Sequence, residues 1–230
     1  MKYRHLFFDL DHTLWDFDRN SAESIAELYE AYRLGDTGIA SAADFSKHFI
    51  AINRQLWADY DRNLVTHGYI RTNRFALVFQ SLGVDASAIQ ADLNAEYLHL
   101  LARKPHLLES AREVLNYLKD RYTMHIITNG FAEIQAVKMN SADISHYFTH
   151  VVTNGVVDAK KPNPAIFQYA LNISQADVAE SLMIGDSYEA DIMGAKGVGM
   201  DTVFYNTAGV VVDDPPTYDI RHWNELIAIL

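Results

Sequence analysis

The sequence predicts an α/β fold: a Rossmann-like parallel sheet core with helices on both faces, carrying an inserted all-helical domain. Two observations predict it. From Glu109 onward, short apolar runs alternate with stretches of helical periodicity, the pattern of βαβ units. Between Asp16 and Arg103, by contrast, the apolar spacing is helical and no strand signal intervenes. The expected division is a core of residues 1–15 and 105–230 around a helical block of 16–104, with polar hinges at 16–20 and 103–106.

The first strand is the apolar run Leu6-Phe7-Phe8, which stops at Asp9 and Asp11. Residues i and i+2 of a strand share a side, so both carboxylates leave its C-terminal end together. Two carboxylates so placed repel unless a cation or a shared proton intervenes, and ligand sites of open α/β sheets lie at this end of the strands. Asp9-x-Asp11-x-Thr13 also begins like a calcium loop. That reading fails because Leu14 stands where the turn needs glycine and Asn20 where the bidentate glutamate belongs.

In the helical block, Asn20 or Ser21 is expected to cap a helix through Ile25, Leu28 and Tyr32 that ends near Gly35. Ser41 with Asp44 resembles a capping box ahead of Phe45, Phe49, Ile52, Leu56 and Tyr60. A third helix is predicted over 70–82, stopped by Gly83, and a fourth from about 85 to 103, closed by Pro105. In the core, a helix over 110–121 leads to a strand at 124–128, then Asn129-Gly130 and a helix over 131–139. Strands at 151–153, 182–186 and 202–205 follow, separated by helices over 164–171 and 190–196. A loop at 210–216 and a closing helix over 223–230 complete the chain.

Composition narrows the function. An apolar share of 49% suits a packed core, and no segment has the length to span a membrane. The N-terminal apolar run meets Asp9 and Asp11 with no small-residue cleavage site, so no secretory signal is expected. Zero cysteines exclude disulfides and thiol catalysis and suit a reducing cytoplasm, the expected location. A net charge of −11 argues against nucleic acid and membrane partners. Any phosphate site here must therefore supply positive charge locally.

Polar residues gather at four predicted chain reversals: Asp9 with Asp11, Thr128-Asn129, Lys160-Lys161-Pro162, and Asp186 followed by Asp191. Each alone has a plain explanation as a turn, a solvated lysine pair, a helix cap or a surface charge. Together they fall at one edge of one sheet, where a single active site can use them.

Asp9-Leu10-Asp11-His12-Thr13, Ile127-Thr128-Asn129-Gly130, Lys161-Pro162-Asn163-Pro164-x-x-Phe167 and Gly185-Asp186-Ser187-x-x-x-Asp191 resemble the four motifs of the haloacid dehalogenase superfamily, in its order and spacing. The helical block lies where that family inserts a cap. Leu14-Trp15-Asp16-Phe17-Asp18 with Asn20 further resembles the bacterial 5'-nucleotidases that act on pyrimidine nucleotides. Dehalogenases lack the second aspartate, so Asp11 implies phosphoryl chemistry. By the resemblance, Asp9 is the nucleophile and Asp11 the general acid/base. Mg²⁺ is held by Asp9, Asp186 and the backbone carbonyl of Asp11; Thr128, the backbone amides after it from Asn129 on, and Lys161 bind the phosphoryl group; Asp191 orients Lys161 or a water on the metal.

The implied activity is Mg²⁺-dependent hydrolysis of a small phosphate monoester through an aspartyl-phosphate, most specifically of a nucleoside monophosphate with pyrimidines favoured. The alternatives are a phosphoglycolate or sugar-phosphate phosphatase and, from another class, a non-enzymatic phospho-accepting switch domain. Trp15, Phe17, Trp57, Tyr60, Tyr69 and Phe75 are candidates to stack a base, with Arg71 or Arg74 beside a sugar or phosphate. Cap core and solvated surface are the competing roles for these side chains.

Overall fold

A computed structural model describes residues 2–85, 87 and 89–230. The chain divides into two units, one of residues 1–17 and 105–230, the other of 18–104. The larger unit begins with β1 (His5–Phe8), whose three apolar residues are wholly buried, as a strand covered on both faces requires. The chain leaves and re-enters this unit along paired segments: Asp16 N donates to His106 O at 3.1 Å, and Leu108 N to Leu14 O at 2.9 Å.

The smaller unit is helical. It holds α1 (Phe17–Ala31, entered from the larger unit), α2 (Ala42–Asp61), α3 (His67–Leu82) and α4 (Leu93–Ala102). Ser41 caps α2 as expected, its hydroxyl accepting from Asp44 N at 3.1 Å, and Gly83 ends α3 in the left-handed conformation. Three starts differ from expectation, α3 among them, which begins at His67 after a Thr66 cap rather than at 70. α1 begins at Phe17, and Asn20 and Ser21 lie buried inside it, Ser21 Oγ sharing a 2.8 Å hydrogen bond with Tyr97 OH. Tertiary packing thus claims the hydroxyl that local preference would assign to a cap. α1 also stops four residues before Gly35, because Arg33 turns left-handed ahead of it. α4 starts at Leu93 rather than near 85; Asp92 caps it, while Asp85 accepts from Ser87 N in a local turn. Part of that expected start, residues 86 and 88, lies outside the described residues.

In the larger unit, α5 (Ala111–Leu118) leads to β2 (Thr123–Thr128), and α6 (Ala132–Ser141) to β3 (Phe148–Thr153). A short α7 (Asn154–Val157), α8 (Pro164–Ile173) and β4 (Ser181–Gly185) follow. Then come α9 (Gly194–Gly197), β5 (Asp201–Tyr205), β6 (Tyr218–Ile220) and α10 (Trp223–Ile229). The strands pair in parallel in the order β3-β2-β1-β4-β5-β6. Phe8 is level with Ile126 of β2 and Ile184 of β4. Winding reverses direction beside β1, the switch point where doubly wound sheets open a crevice at the carboxyl ends. Phe7, Ile127, Val152, Ile166, Phe167 and Met183 fill the core on one side.

Among the described residues, one expected helix opens differently and two short elements, α7 and β6, were not expected. The helix predicted over 190–196 opens as a π-helical turn, Tyr188–Met193, before α9, since Asp191 N and Ile192 N both donate to Ser187 O. β6 lies where the sequence expectation assigns no element; its three residues are too few to show an alternating pattern, and pairing with β5 makes it a strand.

Candidate active site

Asp9 follows β1, and its backbone N donates to Ile184 O at 2.9 Å, so the carboxylate is fixed at the crevice. Opposite it lies Lys161, 2% exposed, whose Nζ donates to Asp9 Oδ1 at 2.6 Å, Asp191 Oδ1 at 2.6 Å and Ile127 O at 2.8 Å. Three acceptors exhaust the ammonium's donors. Burial pushes the Asp9 carboxyl up to about 6, with Lys161 opposing the rise and Asp191 and Asp11 adding to it. Burial by itself would lower Lys161, but Asp191 and Asp9 hold it well above the ordinary lysine value.

Asn129 explains how a loop lysine reaches this depth. Its Nδ2 donates to Lys161 O at 3.0 Å and its Oδ1 accepts from Lys161 N at 2.8 Å. With its side chain clamping the lysine backbone, what Asn129 can offer a ligand directly is its backbone amide, the group the sequence analysis expects to hold a phosphoryl oxygen. Asp191 completes the support: its Oδ2 accepts from Ser187 N at 3.0 Å while Oδ1 holds Lys161.

Asp11 is gripped from a side the sequence did not announce. Lys138 Nζ donates to its Oδ1 at 2.6 Å and Gln135 Nε2 to its Oδ2 at 2.8 Å, both from α6. Burial works against the charge of Asp11, yet Lys138 and these two hydrogen bonds leave its carboxyl below the usual range. Gln135 Nε2 also donates to Thr128 Oγ1 at 2.8 Å, and Gly130 N donates to the same oxygen at 3.1 Å. With its acceptor capacity used twice, the Thr128 hydroxyl has its proton to give.

Asp186 follows β4. Its Oδ1 accepts from Thr13 Oγ1 at 2.9 Å, and Thr13 Oγ1 accepts from Asp186 N at 3.1 Å, a reciprocal tie to the β1 loop. Burial and then the charge of Asp9 push Asp186 up to about 6. Oxygens of Asp9, Asp186 and Asp191 lie within 4.8 Å of one another. Both oxygens of Asp191 are engaged with the protein, so Asp9 and Asp186 are the carboxylates placed to bind a cation. Asp9, Asp11, Asp186 and Asp191 against Lys138 and Lys161 leave two uncompensated negative charges when all are ionised. A hard divalent cation with oxygen ligands matches both the donor set and the charge.

Thr13, Gln135 and Lys138 escaped the sequence reading. The spacing of Gln135 and Lys138, i and i+3 on a helix after Asn129-Gly130, was the one signal that placed both on a common face. Of the expected stacking residues, Trp15 is fully buried and lies under Lys138, its ring 4.4 Å from Nζ, with Phe17 at 5.6 Å. Phe75 packs among Phe45, Phe49 and Tyr97 in the interior of the helical unit. Tyr60 stacks on His67, and Trp57 meets Tyr60 edge-on. Tyr69 is 42% exposed. Arg74, expected at the surface or on a ligand, is buried: Nη1 donates to Asn53 Oδ1 at 3.0 Å, Nε to Asn94 Oδ1 at 3.3 Å, and the guanidinium lies 4.9 Å from the Tyr97 ring centre.

Known proteins resemble this chain over its whole length. Residues 3–199 match the family model of the haloacid dehalogenase-like hydrolases. Pyrimidine 5'-nucleotidase YjjG of Escherichia coli is 32% identical, with 100% of this chain and 99% of that protein aligned. Pyrimidine 5'-nucleotidase PynA of Streptococcus pneumoniae is 28% identical over 100% of this chain and 96% of its own. The magnesium-bound crystal structure of the HAD-hydrolase YfnB from Bacillus subtilis superimposes with a TM-score of 0.87. It is 27% identical, and the match covers 100% of this chain and 99% of that one.

Proposed function

The chain belongs to the haloacid dehalogenase-like hydrolases, and from that premise we propose that it is a Mg²⁺-dependent phosphatase of small phosphate monoesters, with pyrimidine nucleoside 5'-monophosphates as its substrates. One observation carries the phosphatase reading: at the end of a single strand, Asp9 is set against Lys161 while Asp11, two residues on, is held by separate donors. A nucleophile and an acid/base thus occupy distinct environments. Full-length similarity to two pyrimidine nucleotidases supports the substrate class.

Phosphate monoesters hydrolyse extremely slowly unaided, so charge must be neutralised and attack aligned. Asp11, ionised at rest, takes up a proton when the negatively charged phosphate ester binds beside it; Asp9 then attacks phosphorus, the ester P–O bond breaks, and Asp11 passes that proton to the departing alkoxide oxygen. Water then attacks the phosphorus of the aspartyl-phosphate, its proton passes to Asp11, and the bond from phosphorus to the Asp9 oxygen breaks, restoring both carboxyls. Lys161 neutralises charge beside Asp9, Asp191 fixes the lysine, and the Thr128 hydroxyl donates to a phosphoryl oxygen. Asp9, Asp186 and the backbone carbonyl of Asp11 would hold Mg²⁺, which supplies charge neutralisation for the phosphoryl oxygens. The helical unit of 18–104 is the cap that discriminates leaving groups. Absence of cysteine suits a cytoplasmic enzyme, and the −11 charge small-molecule substrates rather than nucleic acid. Among the described residues no helix is long and apolar enough to cross a membrane.

Phosphate release from a panel of nucleoside monophosphates and sugar phosphates, with Mg²⁺ and with EDTA, tests the proposal. Fastest turnover of UMP or dTMP, abolished by EDTA, is expected. Preference for a sugar phosphate would overturn the substrate class, and EDTA-insensitive turnover the metal.

A further inference from the structure

Gln135 and Lys138 have no part in the chemistry just described, yet both end on Asp11. Lys138 is 3% exposed, and its ammonium spends a donor on Asp11 Oδ1 beside the Trp15 and Phe17 rings. Gln135 is fully buried and divides Nε2 between Asp11 Oδ2 and Thr128 Oγ1, while its Oε1 is buried without a hydrogen-bond partner. Room for this amide comes from Gly130: a Cβ there would lie 2.3 Å from Nε2. Each oxygen of Asp11 therefore has its own donor, which fixes both the position and the plane of the carboxylate. The same amide ties that carboxylate to Thr128.

Stability alone does not favour this arrangement. A buried ion pair is commonly no better for stability than apolar side chains of the same volume, and an unpaired buried carbonyl is a further cost. Proton transfer, in contrast, depends steeply on placement, and a misplacement of about 1 Å can cost about 10²-fold.

We propose that Gln135 and Lys138 are positioning residues: together they lock the Asp11 carboxylate in register with Thr128, so that the proton donor and the phosphoryl grip meet the substrate as one unit. This rests on the reading of Asp11 as the acid/base of a phosphatase. The lock matters most when the leaving oxygen needs a proton. A ribose 5'-oxygen does; a nitrophenolate leaves without one.

The test measures kcat/KM, which reports the steps through formation of the aspartyl-phosphate, for the unmodified enzyme, Lys138→Met and Gln135→Leu. Two substrates are used, a nucleoside monophosphate and p-nitrophenyl phosphate. Each variant is expected to lose on the order of 10²-fold on the nucleotide, within the range of general acid catalysis, and at least tenfold less on the aryl ester. In an Asp11→Asn background, Lys138→Met should change kcat/KM less than about twofold, since residues acting through one group are not additive. Turnover of the aryl ester and thermal unfolding show that each variant is folded; if Lys138→Met does not fold, the uncharged change Gln135→Leu carries the comparison. Equal losses on both substrates, or the same loss on top of Asp11→Asn, would overturn the lock while leaving the phosphatase reading intact. Failure of the unmodified enzyme to hydrolyse either ester would overturn that reading, and the lock with it.

Discussion

A Cβ atom on Gly185 would lie 2.2 Å from Asp191 Oδ2, inside the space the carboxylate already fills. The last residue of β4 is glycine because Asp191, returning from the π-helical turn, passes directly over it to reach Lys161. Gly185→Ala should displace Asp191, loosen Lys161 and cost about 1–3 kcal/mol by overpacking. kcat/KM is expected to fall at least tenfold. A variant with the parent's unfolding midpoint and rate would show that Asp191 can move without consequence.

Asp9→Asn should leave the fold intact and abolish turnover. Lys161 keeps Asp191 and Ile127 O as acceptors, and an amide cannot attack phosphorus. Circular dichroism and phosphate release together check this; appreciable steady-state turnover in a pure sample would remove Asp9 as nucleophile.

Asp186→Ala should raise the Mg²⁺ concentration for half-maximal rate by at least tenfold, because one of the two carboxylates placed to hold the ion is lost. The Thr13 hydroxyl loses its acceptor as well, while keeping the backbone N of residue 186 as a donor, at a net cost of about 1 kcal/mol in stability. An unchanged Mg²⁺ dependence would move the cation away from Asp186.

His125 makes stability depend on pH. Its ring is stacked with Phe7, His5 and His150, and burial, followed by the charges of His5 and His150, pushes its pKa down to about 3. The unfolded chain, with an ordinary histidine near 6.5, binds the proton more readily. Stability is therefore full above about pH 6.5 and is lost as pH falls toward 3, by up to about 1.4 kcal/mol per pH unit. Urea midpoints between pH 7.5 and 4.5 should drop less steeply in His125→Leu than in the parent. Parallel curves would place the acid sensitivity elsewhere.

Local chemistry in the sequence determined much of this protein. Apolar runs that stop at carboxylates announced β1 and β4, because a strand buried on both faces must be apolar and its end need not be. Ser41 and Gly83 marked real helix ends for equally local reasons, and the four polar clusters do converge at the carboxyl edge of the sheet. What each side chain does there was decided by the tertiary structure. The backbone amide of Asn129 is the expected phosphate contact, but nothing local in the sequence shows that its side chain clamps the Lys161 backbone, 32 residues away. Thr13 and Asp186 are 173 residues apart, and Asp11 and Lys138 127. Asn20 and Ser21 gave up the cap position that their side chains favour once the helical unit buried them. Hydrophobic period and capping act within a few residues and are legible along the chain. Hydrogen bonds and ion pairs in a buried site depend on distances of a few tenths of an ångström between segments that only the folded sheet brings together.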